Sequence, residues 1–234
     1  MSEISSAFNA ESRPPVAGLS AADSPAVALE ELAARLASKL CHDFISPAGA
    51  IVSGLDLLDD PAAKDMRDEA MDLIASSARK LVDQLAFARV AFGASPGSAM
   101  FDCAELERLT RGIFAHVRAE LDWAVTPISL PKAPAQVLVN LAQLAAGALP
   151  LGGVARLEVS QAADGYLVAA TARGPKARIA AEVQTGLAGQ PLGDGLGGRW
   201  VQAYFIHVLT AAAHGTIEAR ADDELVTLKA TIPN

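Results

Sequence analysis

Cysteine is scarce in this chain: among 234 residues only Cys41 and Cys103 carry a thiol. The two are far apart and form no CxxC pair, which excludes a secreted disulfide scaffold and points to a reducing, cytoplasmic setting. Basic clusters are missing as well. Nineteen Lys and Arg stand against 27 Asp and Glu, for a formal net charge of -8. The pI is near 5.0. That balance repels phosphate backbones and anionic surfaces, so neither nucleic acid nor a membrane is expected as a partner. Long apolar runs are lacking too. The longest uncharged stretch, residues 133–155, is interrupted by Gln136, Asn140, Gln143, Pro150 and glycines. It reads as a buried helix followed by a turn, not as a membrane span. The opening residues have neither the basic start nor the apolar core of a secretion signal, and no internal repeat is visible.

What is present is a chain 51% hydrophobic, enough for one or two compact domains. Residues 1–25, rich in Ser, Ala and Pro, show no sustained period and read as a disordered arm. Residues 26–93 carry two long helical periods separated by DDPAAKD, whose proline can start the second helix. Such a pair forms an antiparallel hairpin. Each apolar stripe then meets only one partner, and a four-helix bundle made by two copies solves this, so a homodimer is expected. Residues 94–100 read as a linker, and 101–234 alternate helix and strand periods in the manner of an α+β sandwich. The fold class is therefore α plus α+β.

The first long helix singles out one residue. At about 100° per residue, Leu36, Leu40, Phe44, Pro47, Ala48, Ile51, Leu55 and Leu58 share one face, and His42 lies roughly opposite. Its helical neighbours Arg35, Ser38, Ser46, Gly49 and Ser53 are mostly short, so a partner protein could approach the ring. Ile45, an apolar residue near the same face, reads as a docking contact. A neutral imidazole nitrogen is a good nucleophile near pH 7 and can hold a phosphoryl group in a form labile enough to pass on. Asp43 could orient the ring through its other nitrogen. Cys41 cannot act with His42 as a thiolate dyad, since consecutive helix residues diverge. His207 and His214, on the last long helix, read as structural.

HDFISP, with His42, Asp43, Ser46 and Pro47, resembles the H-box of histidine kinases, which reads His-acid-x-x-polar-Pro on a dimerisation helix. GDGLGG (Gly193 to Gly198), followed by a helix and AHGTIEA, resembles the kinase ATP lid. The remaining ATP-site boxes are damaged. Leu144 occupies the place of the magnesium-binding asparagine, with Asn140 one turn early. Thr171 falls where the adenine-reading aspartate belongs, and only Gly174 remains of the following glycines. Losing both groups removes phosphate activation and nucleotide specificity. With CHDFISPAGAIVSGLDLL, SSARKL and RVAFGAS, the whole ordered chain resembles the ChpT-type histidine phosphotransferases of alphaproteobacterial cell-cycle phosphorelays. The resemblance implies a dimeric four-helix bundle followed by a degenerate histidine-kinase ATPase-like α/β sandwich. It also implies that each His42 takes a phosphoryl group from the receiver domain of a CckA-like hybrid kinase and gives it to CtrA-like and CpdR-like response regulators. No cofactor or metal of its own follows, Mg2+ being expected in the partner receivers. A divergent active histidine kinase and a non-catalytic dimeric scaffold for response regulators are the competing readings.

Overall fold

A computed structural model of the chain describes residues 29–94, 99–191 and 197–234. The proposed arm at 1–25, most of the linker and most of the GDGLGG segment lie outside the described residues. Helix α1 spans Leu29–Asp59 and α2 spans Arg67–Ala91, joined by a 3-10 turn over Pro61–Met66. Asp60 starts that turn by accepting the Ala62 N–H at 2.8 Å, with Pro61 in the first position, where no N–H is needed. The hairpin closes tightly near this end: a Cβ on Gly54 would meet Ile74 Cγ1 at 2.6 Å, so only glycine lets α2 come so near. Pro47 is buried inside α1.

The rest of the chain is α3 (Cys103–Phe114), α4 (Lys132–Gly147), α5 (Ala181–Leu187) and α6 (Gly198–Ala212) against a five-stranded sheet. That sheet runs β2 (Ala119–Val125), β4 (Gly153–Ala162), β5 (Gly165–Arg173), β7 (Leu225–Pro233), β6 (Thr216–Asp222) in spatial order. β2 and β4 pair in parallel and the other neighbours are antiparallel. The short strands β1 (Met100–Asp102) and β3 (Ser129–Pro131), which the periodicity does not announce, pair with each other. On β4, Ala155, Leu157 and Val159 are buried while Arg156, Glu158 and Ser160 are exposed, and β7 alternates likewise. One face of the sheet therefore packs on the helices. The first part of the uncharged stretch is α4, buried almost throughout, and a turn leads from it into β4. Among the described residues no helix is long and apolar enough to cross a membrane.

Two joints tie the hairpin to the sandwich, so the composition break near residue 94 does not separate free modules. At one, Phe87 and Ala91 of α2 enter the same core as Leu106, Ile113 and Leu141. There Gln136 donates to the carbonyls of Val90 and Gly93 and Asn140 to that of Ala91, satisfying acceptors left open at the helix C-terminus. At the other, Leu32 of α1 packs with Trp200, Val201 and Tyr204 of α6.

The hairpin stripes differ from the expected ones. On α1 the buried side runs through Leu32, Pro47 and Gly54, whereas Leu55 is 48% exposed. On α2 Leu73 and Leu85 are exposed, although they recur at helical spacing with the buried Ala70 and Ser77. A second apolar stripe accounts for this: Ile45, Ala48, Val52 and Leu55 on α1, and Met71, Ala75, Ala78, Val82 and Leu85 on α2, recur at helical spacing. A 3.6-residue period cannot tell one wide stripe from two adjoining ones.

Candidate functional site: His42 at an interdomain cleft

His42 stands in the first half of α1, its side chain 87% exposed. The ring borders a cleft of about 660 Å³ between α1 and the sandwich. The cleft floor is apolar, with Leu144 on α4 and Ala148 just after it, Val183 on α5, and Val226 and Leu228 on β7. Its rim carries four cations, Arg35, Lys39, Arg178 and Arg199, against two acids, Asp43 and Glu182. In a chain of net charge -8 this is a local reversal of sign, and it attracts an anionic group toward the imidazole.

Asp43 lies beside the ring: its Oδ1 is 3.5 Å from His42 Nδ1. That is long for a hydrogen bond, yet close enough for a small side-chain rotation to close it. The other oxygen, Oδ2, accepts from Lys39 Nζ at 2.5 Å. Nε2, the far ring nitrogen, is the one left for chemistry.

The residues expected to dock a partner fall into three groups. Ser38 lines the cleft with His42; Ser46, Gly49 and Ser53 continue along the exposed side of α1. No atom would touch a Cβ placed on Gly49, so the helix backbone is open to close approach there. Arg35 is not a free contact. It pairs with Glu31 at 2.7 Å and its guanidinium lies 5.4 Å from the centre of the Trp200 ring, because the α1–α6 joint brings an aromatic face under it. Ile45, 71% exposed, begins the second apolar stripe.

The ATP-box positions need one correction. Thr171 faces away from the cleft: inward residues of β5 are Tyr166, Val168, Ala170 and Ala172, and Thr171 sits between the last two on the opposite face. Its inward neighbour Ala172 pairs with Val226, a cleft residue, and so holds the position on the cleft side. Alanine cannot read a base either. Leu144 does line the cleft, and Asn140 is fully buried, with its amide bonded to Ala91 and Gln136 and its oxygen accepting from Gln202. Both amide N–H groups are spent inside the core and the oxygen is turned to Gln202, so the side chain does not line the cleft. Gly197 and Gly198 border the cleft; the remainder of GDGLGG lies outside the described residues.

The other thiol and imidazoles stand apart. Cys103 is buried and its pKa is raised, first by burial and then by the Asp102 charge, which keeps it an inert thiol. His207 bonds the Leu187 carbonyl at 3.1 Å. His214 is not on the same helix, as its spacing suggests, but beyond the end of α6 at φ 55°. Among the described residues no group of three or more His, Cys, Asp or Glu could hold a metal ion. Lys39, Arg178 and Arg199 escape the sequence reading. Lys39 was in reach as an i,i+4 partner of Asp43; the two arginines join the site only through long-range folding.

Comparison with known proteins places the chain among phosphotransferases. A family model described as the histidine phosphotransferase C-terminal domain matches residues 103–225. Protein phosphotransferase ChpT of Brucella abortus (strain 2308) is 33% identical over 204 residues, covering 86% of this chain and 95% of that protein. A solved bacterial phosphotransferase superposes with a TM-score of 0.79 at 29% identity, covering 88% of this chain and 98% of that one.

Proposed function

This chain belongs to the histidine phosphotransferase family, and from that membership we propose that it relays phosphoryl groups between receiver aspartates through His42 without using ATP. The observation that carries the proposal is an open imidazole on the rim of a cationic cleft whose floor is apolar where a kinase needs a metal ligand and a base-reading acid. His42 Nε2 attacks the phosphorus of a receiver's aspartyl phosphate; the Nε2–P bond forms as the P–O bond to the carboxylate breaks. Nδ1 keeps its proton, and Asp43 stabilises the positive charge that develops on the ring. The return step runs the same path backward onto another receiver, so direction follows the phosphorylation state of the partners. Mg2+ belongs to the receivers.

The partners proposed are the receiver of a CckA-like hybrid kinase as donor and CtrA-like and CpdR-like regulators as acceptors, in the cytoplasm. Neither nucleic acid nor a membrane is proposed as a partner. The acidic, Mg2+-holding mouth of a receiver suits the cationic rim. Incubation with labelled ATP and magnesium is expected to leave no label on the chain, in the wild type and in Leu144→Asn alike, because Ala172 still offers nothing to a base. Label retained on His42 would make the protein a divergent kinase. A phosphorylated receiver that never passes phosphate to His42 would leave only a scaffold.

We also propose a homodimer. The second stripe leaves Val52 56%, Met71 50% and Val82 64% exposed, apolar surface that a second hairpin would cover as a four-helix bundle. Sedimentation equilibrium is expected to give twice the 24.1 kDa chain mass. Val82→Glu, which places a charge on each side of the seam, is expected to weaken the dimer by about 100-fold. A wild-type mass of one chain at micromolar concentration sinks the dimer.

A further inference from the structure

We infer that Lys39 is a positioning residue for His42: it fixes the Asp43 carboxylate so that the second carboxylate oxygen faces Nδ1 of the ring. The inference rests on His42 as phospho-acceptor and gives Lys39, one turn before Asp43, a role in the ring chemistry beyond its charge at the cleft. An i,i+4 pair with Lys ahead of Asp is ordinarily a weak surface contact, and in the less favourable order. This pair is different because the Lys39 side chain is only 10% exposed. Lys39 stands in the wall between the large cleft and a smaller cavity of about 130 Å³, which it shares with Phe44, Phe87 and Phe92. Packing therefore holds its stem, and the ammonium cannot trade Asp43 for water as an exposed lysine does. The same small cavity is lined by Gln84, whose buried Oε1 has no hydrogen-bond partner among the described residues and is the kind of acceptor the remaining ammonium protons need.

A carboxylate has two oxygens, and here they are divided. Oδ2 is held by Lys39 at 2.5 Å and Oδ1 lies 3.5 Å from His42 Nδ1. With Oδ2 anchored, rotation of the carboxylate is restricted, and Oδ1 stays on the side of the ring that must keep its proton. That favours the Nδ1–H tautomer and leaves the Nε2 lone pair free for phosphorus. Without Lys39 the carboxylate would turn toward solvent, and the tautomer would no longer be set.

Phosphorylation of His42 in the full chain is timed with phosphoramidate, whose P–N bond breaks and releases ammonia as the Nε2–P bond forms. This donor is too small to need a docking surface. Lys39→Met is expected to slow the reaction by about 10-fold, less than loss of a directly contacting acid-base partner usually costs. Lys39→Arg, which supplies an N–H to the same oxygen, is expected to recover most of the rate. The Lys39→Met/Asp43→Asn pair is expected to be no slower than Asp43→Asn alone, because Lys39 acts through Asp43. Imidazole nitrogen signals of unphosphorylated Lys39→Met are expected to show a lower Nδ1–H fraction at His42. A wild-type rate in Lys39→Met, effects that add to those of Asp43→Asn, or an unchanged tautomer overturns the positioning role. Wild-type protein that takes no phosphate on His42 overturns the acceptor reading instead, and the tautomer measurement then decides on Lys39 by itself.

Discussion

Replacing His42 by alanine is expected to abolish the relay outright while leaving the fold intact. Labelled phosphate supplied on a receiver should remain there, with no phosphorylated intermediate and no label reaching a second receiver above the background without the chain. The loss is total because no other nucleophile can take over. Cys41 points along a different direction of the helix, Cys103 is buried, and His116, His207 and His214 belong to other parts of the molecule. Stability should hardly change. The imidazole is 87% exposed and buries nothing, so the substitution falls in the class of surface changes worth within about 0.5 kcal/mol. Thermal unfolding of the variant alongside the transfer assay separates chemistry from folding. Residual relay by a folded His42→Ala protein would mean that another group carries the phosphate.

Much of this site could be read before the fold was known, and the reasons are local. His42 and its exposure follow from a helical period that puts Leu36, Leu40 and Phe44 on the other side, and the α1 boundaries follow from the same pattern. What failed was whatever depends on one residue of strand register or on distant packing. Thr171 and Ala172 are adjacent, but a strand turns successive side chains to opposite faces, so an alignment one residue off names a residue outside the cleft. Asn140 stands one helical turn before the place of the magnesium-binding asparagine, and its role is set by distant packing. Its partners Ala91 and Gln202 lie 49 residues before it and 62 after, and no local pattern announces them. Arg178 reaches the rim through its N–H bond to the Ala148 carbonyl beyond α4, and Arg199 through the packing of α6, which a linear charge count averages away.

The second large effect is expected at Trp200. Its indole is 1% exposed, stacks on Tyr204 at 4.8 Å, lies under the Arg35 guanidinium and donates from Nε1 to the Gln190 carbonyl at 2.9 Å. Truncating a buried tryptophan to alanine costs about 3–5 kcal/mol. For a chain of this size that corresponds to a fall of about 10 °C in melting temperature. Trp200→Phe, which keeps the stacking and loses the hydrogen bond, should lie between. The position of the loss matters more than its size. Trp200 belongs to the small cluster that joins α1 to α6, apart from the main core under the sheet, so the variant should loosen that joint before it unfolds the sandwich. Hydrogen exchange should then rise first in the N-terminal turns of α1, around Leu32 and Leu36. His42 lies two to three turns further along the same helix, and its cleft uses Arg199 and Gln202, the residues flanking Trp200 and Val201, as part of its far wall. Loosening the joint removes that wall and leaves the imidazole itself untouched. Phosphorylation of His42 by phosphoramidate should therefore keep its wild-type rate below the melting temperature, while transfer from a receiver slows. Equal slowing with both donors would show that Trp200 acts on the ring chemistry, and wild-type transfer from a receiver would show that the cleft wall has no part in docking.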